Sequence, residues 1–370
     1  MNQDSNIADR LARAVRYVPV EVEGRLEALH DRTRSRTGRR RAAALVMAAA
    51  IGITAVFLAW RLVPRAEHPQ PAGRGGIFSG IGGWVVISDV GLEAIDPASS
   101  SGSSPILLTH PPSGQFDVPM SWSSDGTTLL FARYTEGHAA LRPGDLFLLD
   151  SSGRLTHVAH GSGIWGSLSP DATKVVYQDW DRTGGGLARR IFVVNVDGGT
   201  PRLVAGGFHA PSASWPTWSP DGTRIAYLDR DRGIVIVRAD GTLMAQHIPI
   251  SDPRITWMSG LAWSPDGSRF ALIGEHGSCA SYVCYQRGIT TSQVFVIGSD
   301  GTGLTQITGD PHFHKNADWC PSWSPDGTWI AYLHSVPMFV SSDPQGSARH
   351  VLSNTQYGFG VCGIAWNPSS

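Results

Sequence analysis

The sequence predicts an all-β protein, a six-bladed β-propeller closed by pairing of its N- and C-terminal strands and preceded by a single N-terminal transmembrane helix. Two observations predict this arrangement. One short segment recurs along the chain at intervals of about 40 to 60 residues, which is typical of repeat architectures. A single uninterrupted apolar run lies before its first copy.

The recurring segment reads Trp-Ser-Pro-Asp-Gly in its three fullest copies. The copies begin at Trp122, Leu168, Trp218, Trp263, Trp323 and Trp366, the last of them cut short. Pro presets φ for a turn, Asp bonds its own backbone, and Gly accepts a positive φ. The flanking runs are rich in Ile, Val, Tyr, Phe and Trp, which suit strands. With a second Asp-Gly turn in most copies, each unit is predicted to be a four-stranded antiparallel blade.

The two ends of the repeat region are predicted to share one blade. Three strands, at Gly83–Ser88, Leu92–Ile95 and Ile106–Leu108, precede the first hairpin, and Val361–Pro368 supplies one innermost strand. Pairing these fragments would remove two open sheet edges. With the five intact units this makes six blades, over residues 82–368.

The N-terminal part predicts a membrane anchor. Residues 1–41 form a short basic cytoplasmic segment with ten Arg against six acidic residues. Residues 42–60 carry no charge and as a helix would span about 28 Å, enough to cross a bilayer. Six Arg lie just before this run and two just after, which places the N-terminus in the cytoplasm and the propeller outside. A cleaved signal peptide is the rival interpretation.

Residues 61–81 are predicted to be a Pro/Gly linker that tethers the propeller to the membrane. The chain beyond Arg65 holds 18 basic and 25 acidic side chains, a net charge of −7. This balance argues against nucleic acid as the main partner.

The motif Trp-Ser-Pro-Asp-Gly-x-x-Ile-Ala-Tyr, preceded by Asp318-Trp319-Cys320-Pro321, resembles the TolB-like propeller repeat, a WD40-like (PD40) repeat also found in relatives of prolyl oligopeptidase. The resemblance covers most of residues 82–368 and implies the propeller fold. TolB itself is a soluble periplasmic protein with a separate N-terminal domain, whereas an anchor stands in that place here. The layout looks more like the membrane-anchored propeller proteins of actinobacteria.

The longest connections are predicted to share one face. The Ser-Pro-Asp-Gly and Asp-Gly turns lie together on a tight face, so the other connections lie opposite. The long ones are Thr135–Pro143, Asp179–Arg189, Glu275–Thr291 and Pro311–Ala317. Because elaborated loops on a rigid scaffold usually carry function, the sequence predicts that this face binds the partner.

Eight residues are candidate ligand contacts near the mouth of the central channel. They are Asp117, Trp165, Trp215, Trp257, His312, His314, Asp318 and Trp319. Aromatic rings there would suit sugars, peptides or another protein, and packing between blades is the alternative. For the two aspartates, bonding to a neighbouring blade is the alternative. Two histidines near Asp318 offer metal ligands, but their spacing matches no known signature, so no metal and no cofactor are predicted.

All four cysteines lie beyond the anchor, where disulfides are permitted. Cys279 and Cys284 would pin the longest loop, and Cys320 with Cys362 would lock the ring at its closure. Free buried thiols are the alternative.

No nucleophile elbow, Walker loop, His-Glu-x-x-His or Cys-x-x-Cys motif occurs. We therefore expect a membrane-anchored, extracytoplasmic, non-catalytic module that binds a protein, a peptide or a cell-envelope glycan. One alternative is a signalling receptor whose cytoplasmic tail docks a partner. Another is a propeller hydrolase or lactonase.

Overall fold

The computed structural model describes residues 77–88, 91–98, 104–135, 144–160, 165–181, 188–206, 213–242, 245–277, 290–309, 318–334, 336–342, 349–351 and 363–368. The predicted cytoplasmic segment, the predicted transmembrane helix and residues 61–76 of the predicted linker lie outside this set. Within it, no helix has both the length and the apolar character needed to cross a membrane.

The described residues form 24 strands. In chain order these are β1 (Val85–Ser88), β2 (Leu92–Ile95), β3 (Ile106–Leu107), β4 (Gln115–Trp122), β5 (Thr128–Thr135), β6 (Asp145–Asp150), β7 (Leu155–Ala159), β8 (Gly166–Leu168), β9 (Lys174–Asp181), β10 (Ala188–Asn195), β11 (Arg202–Gly206), β12 (Ser214–Trp218), β13 (Arg224–Asp229), β14 (Gly233–Arg238), β15 (Gln246–Ile248), β16 (Trp257–Trp263), β17 (Arg269–Gly277), β18 (Thr290–Gly298), β19 (Thr305–Gln306), β20 (Trp319–Trp323), β21 (Trp329–His334), β22 (Val336–Ser341), β23 (Arg349–Val351) and β24 (Ile364–Trp366).

Within the described residues these strands form six four-stranded sheets. Sheet 1 has the order β24-β1-β2-β3, and sheets 2 to 6 take the strands that follow in consecutive fours: β4–β7, β8–β11, β12–β15, β16–β19 and β20–β23. Five sheets thus come from continuous stretches of chain, and sheet 1 is shared by the two ends. The predicted all-β propeller is confirmed.

The predicted pairing of the terminal strands is also present. In β1, Val85 lies opposite Trp366 and Ile87 lies opposite Ile364, both in β24. The side chain of Trp366 reinforces this seam, because its Nε1 donates to the carbonyl of Gly83 at 2.7 Å.

The core is divided into six apolar clusters, one between each pair of neighbouring sheets. Leu130 and Val175 belong to the cluster between sheets 2 and 3, for example. Val85 and Ala331 belong to the cluster between sheets 1 and 6. Because every sheet is covered on both faces, its middle strands are continuously apolar rather than alternating.

The Ser-Pro-Asp-Gly turns share one hydrogen-bond pattern. In the turn at Ser219, the hydroxyl donates to Asp221 Oδ1 at 2.5 Å and accepts the amide of Arg224 at 2.9 Å. The carboxylate of Asp221 also accepts the amide of Thr223 at 2.9 Å. Gly222 closes the turn at φ 70°. The serine and aspartate side chains therefore hold the turn in place.

Candidate functional site

The innermost strands surround a central cavity of about 490 Å³ that is lined by all six sheets. The lining runs from the middle of these strands to the prolines of the tight turns. These prolines are Pro170, Pro220, Pro265, Pro325 and Pro368. Each is exposed or half-buried, so the cavity meets solvent on the tight face.

Bulges in three innermost strands shape the inner end of this cavity. In β12, β16 and β20 two successive residues are left without a partner in the next strand, beginning at Trp215, Gly260 and Cys320. Each of these three has a positive φ, at 56°, 56° and 54°. For Trp215 and Cys320 the left-handed conformation costs about 1–2 kcal/mol, and retained strain of this kind is often found at functional sites.

The bulge in β12 brings two of the predicted aromatic residues together. The rings of Trp165 and Trp215 stack with centroids 3.8 Å apart and planes 22° apart, and both line the cavity. Both also pack against the cluster between sheets 1 and 6, which contains Cys320 and Ile364. Trp165 precedes β8 of sheet 3 and Trp215 lies in β12 of sheet 4. The stacked pair therefore extends across the axis of the ring to sheets 1 and 6.

The other two predicted tryptophans lie elsewhere. Trp319 packs against the same cluster between sheets 1 and 6, but it is not part of the cavity wall. Trp257 lies beneath the guanidinium of Arg230, whose Cζ is 3.8 Å from the ring centroid. The four predicted tryptophans are therefore a stacked pair in the cavity and two separate residues outside it.

Hydroxyl groups on the cavity wall connect neighbouring sheets. Ser121 Oγ accepts the amide of Leu168 at 2.7 Å, and Ser322 Oγ accepts the amide of Trp366 at 3.0 Å. A hydroxyl that accepts a hydrogen bond keeps its own proton as a donor. The two serines can thus stabilise the ring and still offer a donor to a ligand.

Three motif tryptophans that line the cavity have buried indole N–H groups. The Nε1 atoms of Trp122, Trp218 and Trp263 are buried without a hydrogen-bond acceptor among the described residues. In the matching place of sheet 6, Trp323 Nε1 donates to the carbonyl of Ala262 at 3.2 Å. Buried donors of this kind are usually satisfied by a partner, which includes water or a ligand.

The two predicted aspartates are bound within the scaffold. Asp117 is fully buried, and Arg133 donates to both of its carboxylate oxygens at 2.6 and 2.8 Å. Asp318 is 4 % exposed and accepts from Thr308 and His334. The carboxylate of Asp117 is thus bonded within its own sheet, and that of Asp318 is bonded to its own sheet and to sheet 5, while the role of either residue as a ligand contact stays a prediction.

The remaining predicted site residues fall mostly outside the described part of the chain. His312, His314, Cys279, Cys284 and Cys362 all lie there. Cys320, which is described, is disulfide-bonded. The predicted ligand contacts of His312 and His314 and the predicted loop disulfide therefore stay predictions.

One cluster was missed by sequence reasoning. Asp145, His157 and His160 place one ligand atom each within 4.8 Å of one another. The spacing His157-x-x-His160 was the available signal, but the carboxylate comes from a neighbouring strand and cannot be seen in that spacing.

Comparisons with known proteins give no family assignment. No family model matches the chain, and no curated protein matches it. The resemblance to TolB-like repeats accordingly stays a prediction.

Similar folds occur among solved structures. An oligogalacturonate lyase in complex with manganese is 14% identical, with a TM-score of 0.42 over 73% of this chain and 84% of that one. The β-propeller domain of Cps50 (Swd1) from Myceliophteria thermophila is 11% identical, with a TM-score of 0.46 over 77% and 90%. A puromycin-hydrolyzing peptidase of Mycobacterium tuberculosis is 19% identical, with a TM-score of 0.46 over 73% and 43%. They include enzymes and a protein not described as one, so they leave the activity open.

Proposed function

We propose that this protein is a non-catalytic binding module that takes a neutral segment of a protein, a peptide or a cell-envelope glycan into its central cavity. The observation that carries the proposal is the stacked pair Trp165 and Trp215 at the inner end of that cavity. Flat indole faces bind the apolar faces of sugar rings and of aromatic or proline side chains.

The polar groups of the cavity support a neutral ligand. Its described lining contains hydroxyl and indole groups but no carboxylate, imidazole, guanidinium or amine, and its one cysteine is disulfide-bonded. Such donors match hydroxyl or amide oxygens rather than a charged group. General acid–base catalysis draws on titratable side chains, so this lining supports binding more than turnover.

The cavity does not lie on the face that the sequence predicted to bind the partner. Its lining ends at the tight turns, whereas the sequence pointed to the long loops on the opposite face. Most residues of those loops lie outside the described set, so that face stays a second proposed contact surface.

Ligand binding by the wild-type protein and by cavity variants tests whether the cavity is the binding site. Full-length protein in mild detergent is titrated with cell-wall muropeptides, neutral oligosaccharides and proline-rich peptides, and the ligand that binds is carried forward. Trp165→Ala should weaken its binding by at least about tenfold, because truncation of a buried aromatic anchor costs 2 kcal/mol or more. Trp257→Ala is the matched control and should leave affinity unchanged. Equal binding by wild type and W165A contradicts the cavity as the site.

We further propose that residues 42–60 anchor the chain in the cell membrane and that the propeller is extracytoplasmic. The uncharged run and the arginines before it support this orientation. Membrane fractionation should recover the chain with the bilayer, and a membrane-impermeant reagent should label propeller residues in intact cells. Recovery in the soluble fraction, or labelling only after lysis, contradicts the anchor or its orientation.

A further inference from the structure

A second candidate site lies on the outer part of sheet 2, away from the cavity. Asp145 is the first residue of β6, His157 lies in β7, and His160 directly follows β7. His160 Nδ1 lies 3.3 Å from Asp145 Oδ1, and His157 Nε2 lies 3.9 Å from Asp145 Oδ2. All three possible ligand atoms are within 4.8 Å of one another.

A β-bulge puts the two histidines on the same face. Residues three apart in a regular strand point to opposite faces, because side chains alternate. Here the pairing of β6 with β7 shifts between Leu146 and Phe147, so that Val158 has no partner. One extra residue resets the alternation, and His160 returns to the side of His157.

Aromatic packing supports one of the two imidazoles. The ring of His157 meets Phe147 edge-on, with centroids 5.2 Å apart and planes 80° apart. Phe147 in turn stacks on Phe131 at 5.6 Å. The His157 and His160 rings lie 4.0 Å apart at 42°. His157 is therefore held by the sheet, while His160, with 84 % of its side chain exposed, is free to adjust.

We propose that Asp145, His157 and His160 bind a divalent transition-metal ion of the zinc class. Two imidazole nitrogens and one carboxylate oxygen are ligands that zinc prefers, whereas calcium and magnesium favour oxygen alone. Around tetrahedral zinc, with bonds of about 2.0–2.1 Å, ligand atoms lie roughly 3.3 Å apart. The Asp145–His160 distance already has this value, and small rotations of the exposed His160 and of the Asp145 carboxylate, which is 41 % exposed, would bring the ligand atoms to it around His157.

The site would have an open position. Three protein ligands leave one position of a tetrahedral ion for water or for a group on a partner molecule. The ion would also join β7 to β6 at the end of the strand pair, which predicts that metal stabilises the outer edge of sheet 2. This role is independent of the central cavity and of the ligand proposed for it.

The test is metal binding by the full-length protein, prepared without a polyhistidine tag. Zinc is titrated into the metal-free protein by calorimetry, and cobalt is used as a spectroscopic substitute. We expect one zinc ion per chain at this site, visible d–d bands of tetrahedral cobalt, and a higher Tm in the presence of zinc.

His160→Ala and Asp145→Asn should each weaken zinc affinity by at least about tenfold and remove the cobalt bands, since even partners that only orient metal ligands are worth 10–100-fold. His110→Ala and His247→Ala, at exposed histidines elsewhere, are the matched controls and should bind as wild type does. Absence of zinc binding by the wild-type chain overturns the proposal. So does binding that is the same in wild type, H160A and D145N.

Discussion

His334 lies against Asp318, with Nδ1 2.5 Å from Oδ1. Arg133 meets Asp117 at the matching place in sheet 2. The backbone carbonyls of both aspartates accept a serine hydroxyl from the preceding sheet, Ser292 at 2.7 Å and Ser88 at 2.5 Å. Each aspartate thus connects the second strand of its own sheet to the preceding sheet. The aspartates stabilise the ring, and the groups proposed to bind a ligand lie at the bulges nearer the tight face.

Removal of Arg133 should destabilise the protein strongly. In Arg133→Met the fully buried Asp117 loses its partner, and breaking such a pair typically costs about 3–5 kcal/mol. Arg254→Ala is the control, because Arg254 pairs with Asp252 at 2.6 Å but is 60 % exposed. Exposed pairs contribute little to stability, because water and salt screen them. Urea unfolding measures the free energy of unfolding of both variants. An equal decrease in the two variants would contradict the assigned role of Asp117.

The tight turns should make stability depend on pH in acid. The hydroxyl bond from Ser219 lowers the pKa of Asp221 from 3.8 to about 2, and Ser264 does the same for Asp266. A carboxyl whose pKa is lowered by folding contributes stability above its unfolded value, and this contribution is lost as the pH falls through the folded value. The free energy of unfolding should therefore decrease from about pH 4 to about pH 2.

The variant Asp221→Asn tests this dependence. At neutral pH it should be less stable than wild type, and the difference should shrink as the pH falls toward 2, where the wild-type carboxyl begins to be protonated in the folded state as well. Asp231→Asn, an exposed position outside these turns, should follow the wild-type curve. Urea midpoints across the acid range provide the measurement. A difference in urea midpoint between D221N and wild type that is the same at every pH would contradict the link between Asp221 protonation and stability.

Two glycines with the same backbone conformation should differ in their tolerance of alanine. Gly260 and Gly222 have φ of 56° and 70°, so a Cβ costs about 1–2 kcal/mol at either. At Gly260 the Cβ would also lie 2.9 Å from Pro321 Cδ, whereas at Gly222 the nearest atom is 3.7 Å away. Overpacking adds about 1–3 kcal/mol, so Gly260→Ala should be clearly less stable than G222A in thermal unfolding. Similar Tm values would show that sheets 5 and 6 separate easily at the bulge.

The disulfide of Cys320 is predicted to join Cys362. Cys320 lies in β20, and the sequence predicts that Cys362 belongs to the innermost strand of the neighbouring unit, at the closure of the ring. Peptide mapping under non-reducing conditions should yield one linked pair containing these two residues and a second containing Cys279 and Cys284. Cys362→Ser should free Cys320 and lower the Tm, since removing a native disulfide typically costs about 2–5 kcal/mol. Recovery of Cys320 linked to Cys279 or Cys284 would overturn the assignment.

The features that could be predicted from the sequence are those that depend on residues close together in the chain. The hairpins around Trp218, Trp263 and Trp323 were predictable because a turn and its flanking strands are determined within about ten residues. Ala172 stands where the matching turns have glycine, yet it takes the same left-handed conformation at φ 58°. The surrounding sheet compensates for this local departure.

The sequence by itself determined the number of repeats, the place of each tight turn and the pairing of β24 with β1, since these depend on short-range turn chemistry and on leaving no sheet edge open. Only the tertiary structure decided that Trp165 stacks on Trp215 while Trp257 and Trp319 lie apart, and that Asp145 joins His157 and His160. The physical reason is the β-bulge. It shifts the register by one residue and turns the following side chains to another face of the sheet.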